Sequence, residues 1–189
     1  GTWNSAFKAA SSFNDSPIHV IDSKNLCSGL GLLVLKAAEA IDSGKNCEET
    51  LKILEENIPR TKIFVSLETL EYMIRGGRIS PLKGKMAKLL NLKPLISLNP
   101  EGKGIHYGNA CGKRGNLKKI LNTSRRLLSE KGIEKYAVVH AHALEGAEDL
   151  AERLKEIIKQ DPEYIMDISP VIGINSGPGS IAVSMILQK

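Results

Sequence analysis

Apolar positions along this 189-residue chain change their spacing near residue 60. Before that point they recur every three or four residues, as on one face of a helix. Trp3, Ala6, Phe7 and Ala10 mark a first helix. Leu30 to Ile41 is a second, strongly apolar one that stops at Gly44. Asn46, followed by Glu48 and Glu49, opens a third that runs to Ile58 and ends at Pro59. Pro17 precedes an extended run, Ile18 to Asp22, which reads as a strand. Strand alternating with helix predicts a parallel α/β unit, but here there is too little of it to close a core. Residues 1–59 are therefore expected to be the remnant of an N-terminal α/β domain.

From residue 60 to 189 strand-like runs dominate, and a C-terminal α+β domain is expected. Strands are predicted at Lys62–Glu68, Leu92–Leu98, Lys103–Cys111, Tyr136–Ala141, Tyr164–Ile174 and Ile181–Leu187. The turn cluster Asn99-Pro-Glu-Gly102 joins two of them. Leu70, Met73 and Ile74 make a short helix that Gly76 and Gly77 stop. Pro81–Leu90, Asn116–Lys131 and Glu145–Lys159 read as helices with one apolar side. About six strands with short turns predict a mainly antiparallel sheet, covered on one face by helices.

Composition narrows the function classes. No apolar run approaches the roughly 20 residues that span a bilayer, so no stable membrane insertion is expected. Cys27, Cys47 and Cys111 have no short pair spacing and no helix-start or CxxC context. They read as free thiols of a reducing cytoplasm. Aromatics are only 4% of the chain, so a large pocket must be aliphatic and poorly suited to stacking on bases. Charge is uneven. Eight basic residues face two acidic ones between Arg60 and Lys93, and eight face one between Lys103 and Lys131. Such a face fits an acidic partner, an anionic membrane surface or nucleic acid. With so few aromatics and no groove-reading motif, no nucleic acid partner is expected.

Four ordered motifs carry a resemblance. Thr69-Leu-Glu-Tyr-Met-Ile-Arg-Gly-Gly-Arg-Ile-Ser80 resembles TLEYLxRGGRI, and Ile21-Asp-Ser-Lys24 with Gly29-Leu-Gly31 resembles VIDSxxxSxGLG. Asn91-Leu-Lys-Pro-Leu-Ile96 resembles NIKPIL, and Pro170-Val-Ile-Gly173 with Gly177-Pro-Gly179 resembles PVIGxHxGPG. These are signatures of the DegV family of bacterial fatty-acid-binding proteins. The resemblance implies a lipid held between two domains, with its carboxylate presented to the catalytic subunit of a fatty acid kinase for use in phospholipid metabolism. No cofactor is implied beyond the bound long-chain fatty acid. Two departures stand out. Gly1-Thr-Trp-Asn-Ser-Ala6 resembles SGTYxSA without its first serine, so the chain is expected to be a C-terminal fragment. Asn175 stands where the family loop has histidine, and asparagine donates a hydrogen bond but cannot become a cation.

The residues themselves propose a modest site. The loop Gly173-Ile-Asn-Ser-Gly-Pro-Gly179 offers close backbone approach with donors at Asn175 and Ser176, and otherwise reads as a tight hairpin. The amides of Gly1 and Thr2, at a helix start, form a second anion site. The resemblance makes these four the candidates for holding a lipid carboxylate. Arg78, presented from the Gly-Gly turn, suits a carboxylate or phosphate. Ile79, Met86 and Leu89 are candidates for the acyl chain or for partner docking. Leu30, Leu33, Val34, Met73 and Leu90 add to an aliphatic surplus. His140 and His142, two apart in a predicted strand, share a face, but with no third ligand nearby they read as packing and no metal is expected. No GxSxG elbow or other catalytic set is present, so a lipid carrier is favoured over an enzyme. The alternative is a small-molecule enzyme like the dihydroxyacetone kinases.

Overall fold

The computed structural model describes residues 1–13, 16–78, 93–110 and 112–189, the side chains of 109, 110, 112 and 113 excepted. The helix predicted at Pro81–Leu90, and with it Ile79, Met86, Leu89 and Leu90, lies outside these residues, as does Cys111. Three helices come first: α1 (Thr2–Ala10), α2 (Cys27–Asp42) and α3 (Cys47–Asn57). The run Ile18–Asp22 forms no regular element, because no neighbouring strand among the described residues pairs with it. Helix α3 begins where expected. The Asn46 side chain accepts the Glu49 N–H at 3.0 Å, and the Glu49 carboxylate accepts the Asn46 N–H at 3.0 Å. This reciprocal cap satisfies two otherwise orphaned helix donors.

The remaining elements are β1 (Thr61–Ser66), α4 (Glu71–Arg75), β2 (Lys93–Leu98), β3 (Gly104–Ala110), α5 (Gly112–Lys131) and β4 (Ile133–His140). They continue with α6 (Leu144–Ile158), β5 (Ile165–Asp167), α7 (Pro170–Ser176) and β6 (Ile181–Leu187). The strands form one six-stranded sheet in the order β3-β2-β1-β6-β4-β5. Every pairing is antiparallel except β4 with β5. The mainly antiparallel sheet is thus as expected.

Its covering differs from expectation, because helices lie on both faces. Every residue of β6 is buried, which requires apolar or paired groups on each side of the strand. Ile181, Val183, Met185 and Leu187 enter the main core with residues of α5 and α6, such as Ile120, Leu150 and Leu154. Ile186 turns the other way and packs with Ala137 against Leu32 of α2. On that second face Ser184 shares a 2.7 Å hydroxyl hydrogen bond with Ser28. Ion pairs fix the outer side of α2 to β4: Lys36 to Glu134 at 2.6 Å and Lys135 to Glu39 at 2.6 Å. The Tyr164 hydroxyl also donates to the Ser28 carbonyl of α2, over Gly31, where a Cβ would overlap the ring oxygen.

The strand predicted at Tyr164–Ile174 is a three-residue strand followed by helix α7. Pro170 occupies the first helical turn and Gly177 follows the last residue with φ of 73°. Proline just inside a helix start and glycine just past its end are a known pair of signals, and here they override the apolar run.

Two stability outcomes follow from these contacts. Asn46→Ala should lower the unfolding free energy by about 1 kcal/mol, read from denaturant midpoints, because it opens the α3 cap. Tyr136 is buried with its hydroxyl on the Gln160 carbonyl at 3.0 Å, and burial pushes its phenol up to about 12. Its folded value lies above the unfolded one, so its stabilisation is complete below pH ~10 and fades as pH rises toward ~12. Tyr136→Phe should flatten that alkaline loss in a melting-temperature series.

Candidate functional site

The second face of the sheet is only partly covered by α2. Beyond the N-terminal end of that helix it floors a cavity of about 430 Å³, within the roughly 300–1,000 Å³ range of small-molecule sites. Strand alternation sets the floor. Phe64 goes to the main core, while Ile63 and Val65 of β1 line the cavity. Ile96 and Leu98 of β2, Val139 of β4 and Ala182 of β6 continue the same aliphatic surface. Helix α7 forms one wall through Val171 and Ile172, and Met73 of α4 adds to it. Leu26, Cys27 and Thr2 contribute from the first part of the chain.

Polar groups gather where α4 meets α7. Gly76 has no room for a Cβ against the Asn175 amide, and a Cβ at Gly177 would overlap the Tyr72 ring. The glycines of the two motifs therefore let these short helices touch. Arg78 leaves the turn just beyond, its N–H on the Met73 carbonyl at 2.9 Å and its guanidinium on the Gly76 carbonyl at 3.0 Å. Asn175 donates to the Val171 carbonyl within α7 at 3.2 Å. Ser176 is only 9% exposed and its hydroxyl has no partner among the described residues. An orphaned buried hydroxyl costs about 1–3 kcal/mol, and a ligand acceptor placed there removes that cost.

Thr2, Arg78, Asn175 and Ser176 all line this one cavity, whereas Gly1, the N-cap of α1, does not. Met73 lines it too, while Leu33 is buried and Leu30 and Val34 face solvent. The Gly173–Ser176 segment is the last turn of α7, not a hairpin. His140 ends β4, and His142 lies past it with φ of 48°, so the two do not share a strand face. No group of three metal-ligating side chains occurs among the described residues. Cys27 and His140, read from the sequence as a free thiol and as packing, both line the cavity. Cys27 and Cys47 each open a helix, contrary to expectation. For Cys27, desolvation outweighs the helix end, and burial pushes its thiol up despite the Ser28 N–H on its sulfur. A larger depression beside α6, about 990 Å³, is lined by charged residues such as Glu152, Lys155 and Glu156.

Residues 1–188 match the sequence profile of a family described as uncharacterised proteins of the DegV family. The chain belongs to the DegV family. It is 33% identical over 192 residues to a DegV domain-containing protein of Clostridium acetobutylicum, covering 100% of this chain and 67% of that protein. Its fold is similar to that of a fatty-acid-binding DegV-family protein of Thermus thermophilus, with a TM-score of 0.85 and 28% identity. The match covers 99% of this chain and 66% of that one. A family member from Ruminococcus gnavus, refined with vaccenic acid, matches with a TM-score of 0.83 and 25% identity, over 97% of this chain and 67% of that one. The chain spans about two thirds of the length of the relatives it matches. No helix among the described residues is long and apolar enough to cross a membrane.

The cavity makes a labelling prediction. Cys27 lines it and Cys47 is exposed on α3. Alkylation of Cys27, whose thiol burial pushes up, should be severalfold slower than that of the exposed Cys47, as read by peptide mass spectrometry.

Proposed function

We propose that this chain is part of a cytoplasmic lipid carrier, not an enzyme, and holds a long-chain fatty acid in the cavity over β1, β2 and β6. The observation that carries this reading is an aliphatic cavity with an unsatisfied buried hydroxyl and a few donors at one end. Burying each methylene contributes ~0.8 kcal/mol, so a chain of about 16 carbons gains roughly 10 kcal/mol gross. Ordering of ligand and protein offsets part of this gain. Thr2, Asn175 and Ser176 donate to the carboxylate, with the amide of Gly1 at the edge of the site. Arg78 stands exposed at the mouth, where an acyl phosphate would form. Residues 1–59 supply one side of the site and residues 60–189 the other, a division supported by Thr2, Leu26 and Cys27 lining the cavity together with the strand residues. Fatty acids bound by family members support the ligand class. The family resemblance and the uneven charge along the sequence support a kinase partner, which would supply nucleotide and metal.

Titration calorimetry with oleate tests the reading. The chain should bind it about one to one. Val65→Trp, which fills the cavity from a partly buried floor position, should weaken binding at least tenfold. Binding that is absent in the parent, or unchanged in the variant, would overturn the assignment. Arg78→Ala should abolish phosphorylation of bound lipid by a fatty acid kinase while shifting thermal stability little, since among the described residues its side chain bonds only within its own turn.

A further inference from the structure

A smaller cavity of about 150 Å³ lies beyond the aliphatic one, beside the turn between β2 and β3. Ile63 of β1 and Leu98 of β2 line both cavities. The register that sets Phe64 opposite Ser97 brings these two side chains opposite each other one step further along, on one face of the sheet. They form a wall with space on either side. Ile63 is buried, yet it joins none of the apolar clusters among the described residues. Backbone segments meet on the same border. Gly102 lines the larger cavity and Lys24 the smaller, and a Cβ at Gly102 would stand 2.9 Å from the Lys24 carbonyl oxygen.

The two sides of the wall differ in chemistry. The larger cavity has an aliphatic floor, whereas polar residues such as Thr61, Lys62 and Asn99 line the smaller one. These groups are already paired within the chain. Lys62 Nζ donates to the Pro59 carbonyl at 2.8 Å, Thr61 Oγ1 donates to the Asn57 carbonyl at 2.9 Å, and Asn99 Oδ1 accepts the Lys103 N–H at 2.8 Å. A methylene gains by leaving water for an aliphatic surface, but gains little beside polar groups that must lose water to admit it. The wall also stands away from the donors of the site. Helix α7 leads into β6 at Ile181, which pairs with Ser66. Ile63 pairs with Ser184, three residues further along and about 10 Å away. Resting on the fatty-acid reading above, with the carboxylate at Ser176, we infer that Ile63 and Leu98 end the acyl channel and set the chain length it prefers. A chain that just reaches them uses the whole aliphatic floor. A longer one must push Leu98 aside and enter the polar cavity, and is selected against.

The test is the affinity of the chain for a series of straight saturated fatty acids, from laurate to arachidate, measured by titration calorimetry. In the parent, affinity should rise about fourfold with each added methylene and then stop rising at one chain length. Leu98→Ala, at a part-buried position, should move that point to a longer chain. Leu98→Phe should move it to a shorter one, and reads the effect independently of any cavity left by the alanine. Between the two variants the preference for a long acid over a short one should differ by about tenfold or more. A merely structural Leu98 would weaken every acid alike and leave the shape of the profile in place. Parent-shaped profiles in both variants, or a parent profile that climbs through the whole series, overturn this inference alone. A parent that binds no acid of any length overturns the fatty-acid reading and this inference with it.

Discussion

The structure depends on one strand being buried from both sides. β6 pairs with β1 along one edge and with β4 along the other, over registers running from Ile181 to Ile186 and from Ile181 to Leu187. Its odd positions are large and aliphatic and fill the core under α5 and α6. Its even positions are Ala182, Ser184 and Ile186, and each meets something different. Ile186 meets α2, Ser184 meets the Ser28 hydroxyl, and Ala182 meets empty space. The small side chain at 182 leaves part of the sheet's second face open, where a large residue would have filled it. The cavity is therefore a consequence of packing density falling along one strand face.

Much of this fold could be read from the chain because its signals are local. The Asn46 and Glu49 cap, the Gly-Gly stop after α4 and the turn at Asn99 each depend on a few neighbouring residues. The sheet class followed from strands joined by short turns. What failed was nonlocal or ambiguous. Ile18–Asp22 has strand composition, but a strand needs a neighbour. The Tyr164–Ile174 run is apolar in a way that fits strand or helix, and only Pro170 and Gly177 decide it. Burial of β6 on both faces was not read from its run, which Ser184 interrupts, and nothing in the run names α2 as its cover.

The candidate site shows the same split. Arg78, Asn175 and Ser176 stand out because glycines surround them, and the structure explains those glycines as contact points between α4 and α7. Thr2 stands out through its place at a helix start and through a motif. His140 and Cys27 lie in segments whose periodicity assigns them to packing, and their access to the cavity depends on where the sheet is left uncovered. A residue's distance from Ala182 is not a property that spacing along the chain can express.

The sheet order carries a consequence for assembly. β6 follows every other element in the chain yet lies between β1 and β4, more than a hundred residues from the first of them. Neither half of the sheet can be joined until β6 has been made, and closing such distant pairs is slow compared with forming helices. During synthesis the aliphatic faces of β1, β2 and β4 exist before their covering strand does. The nascent chain must therefore pass through a stage with its cavity-facing surface open and its cavity not yet formed, when a chaperone can reach the residues that later form the floor.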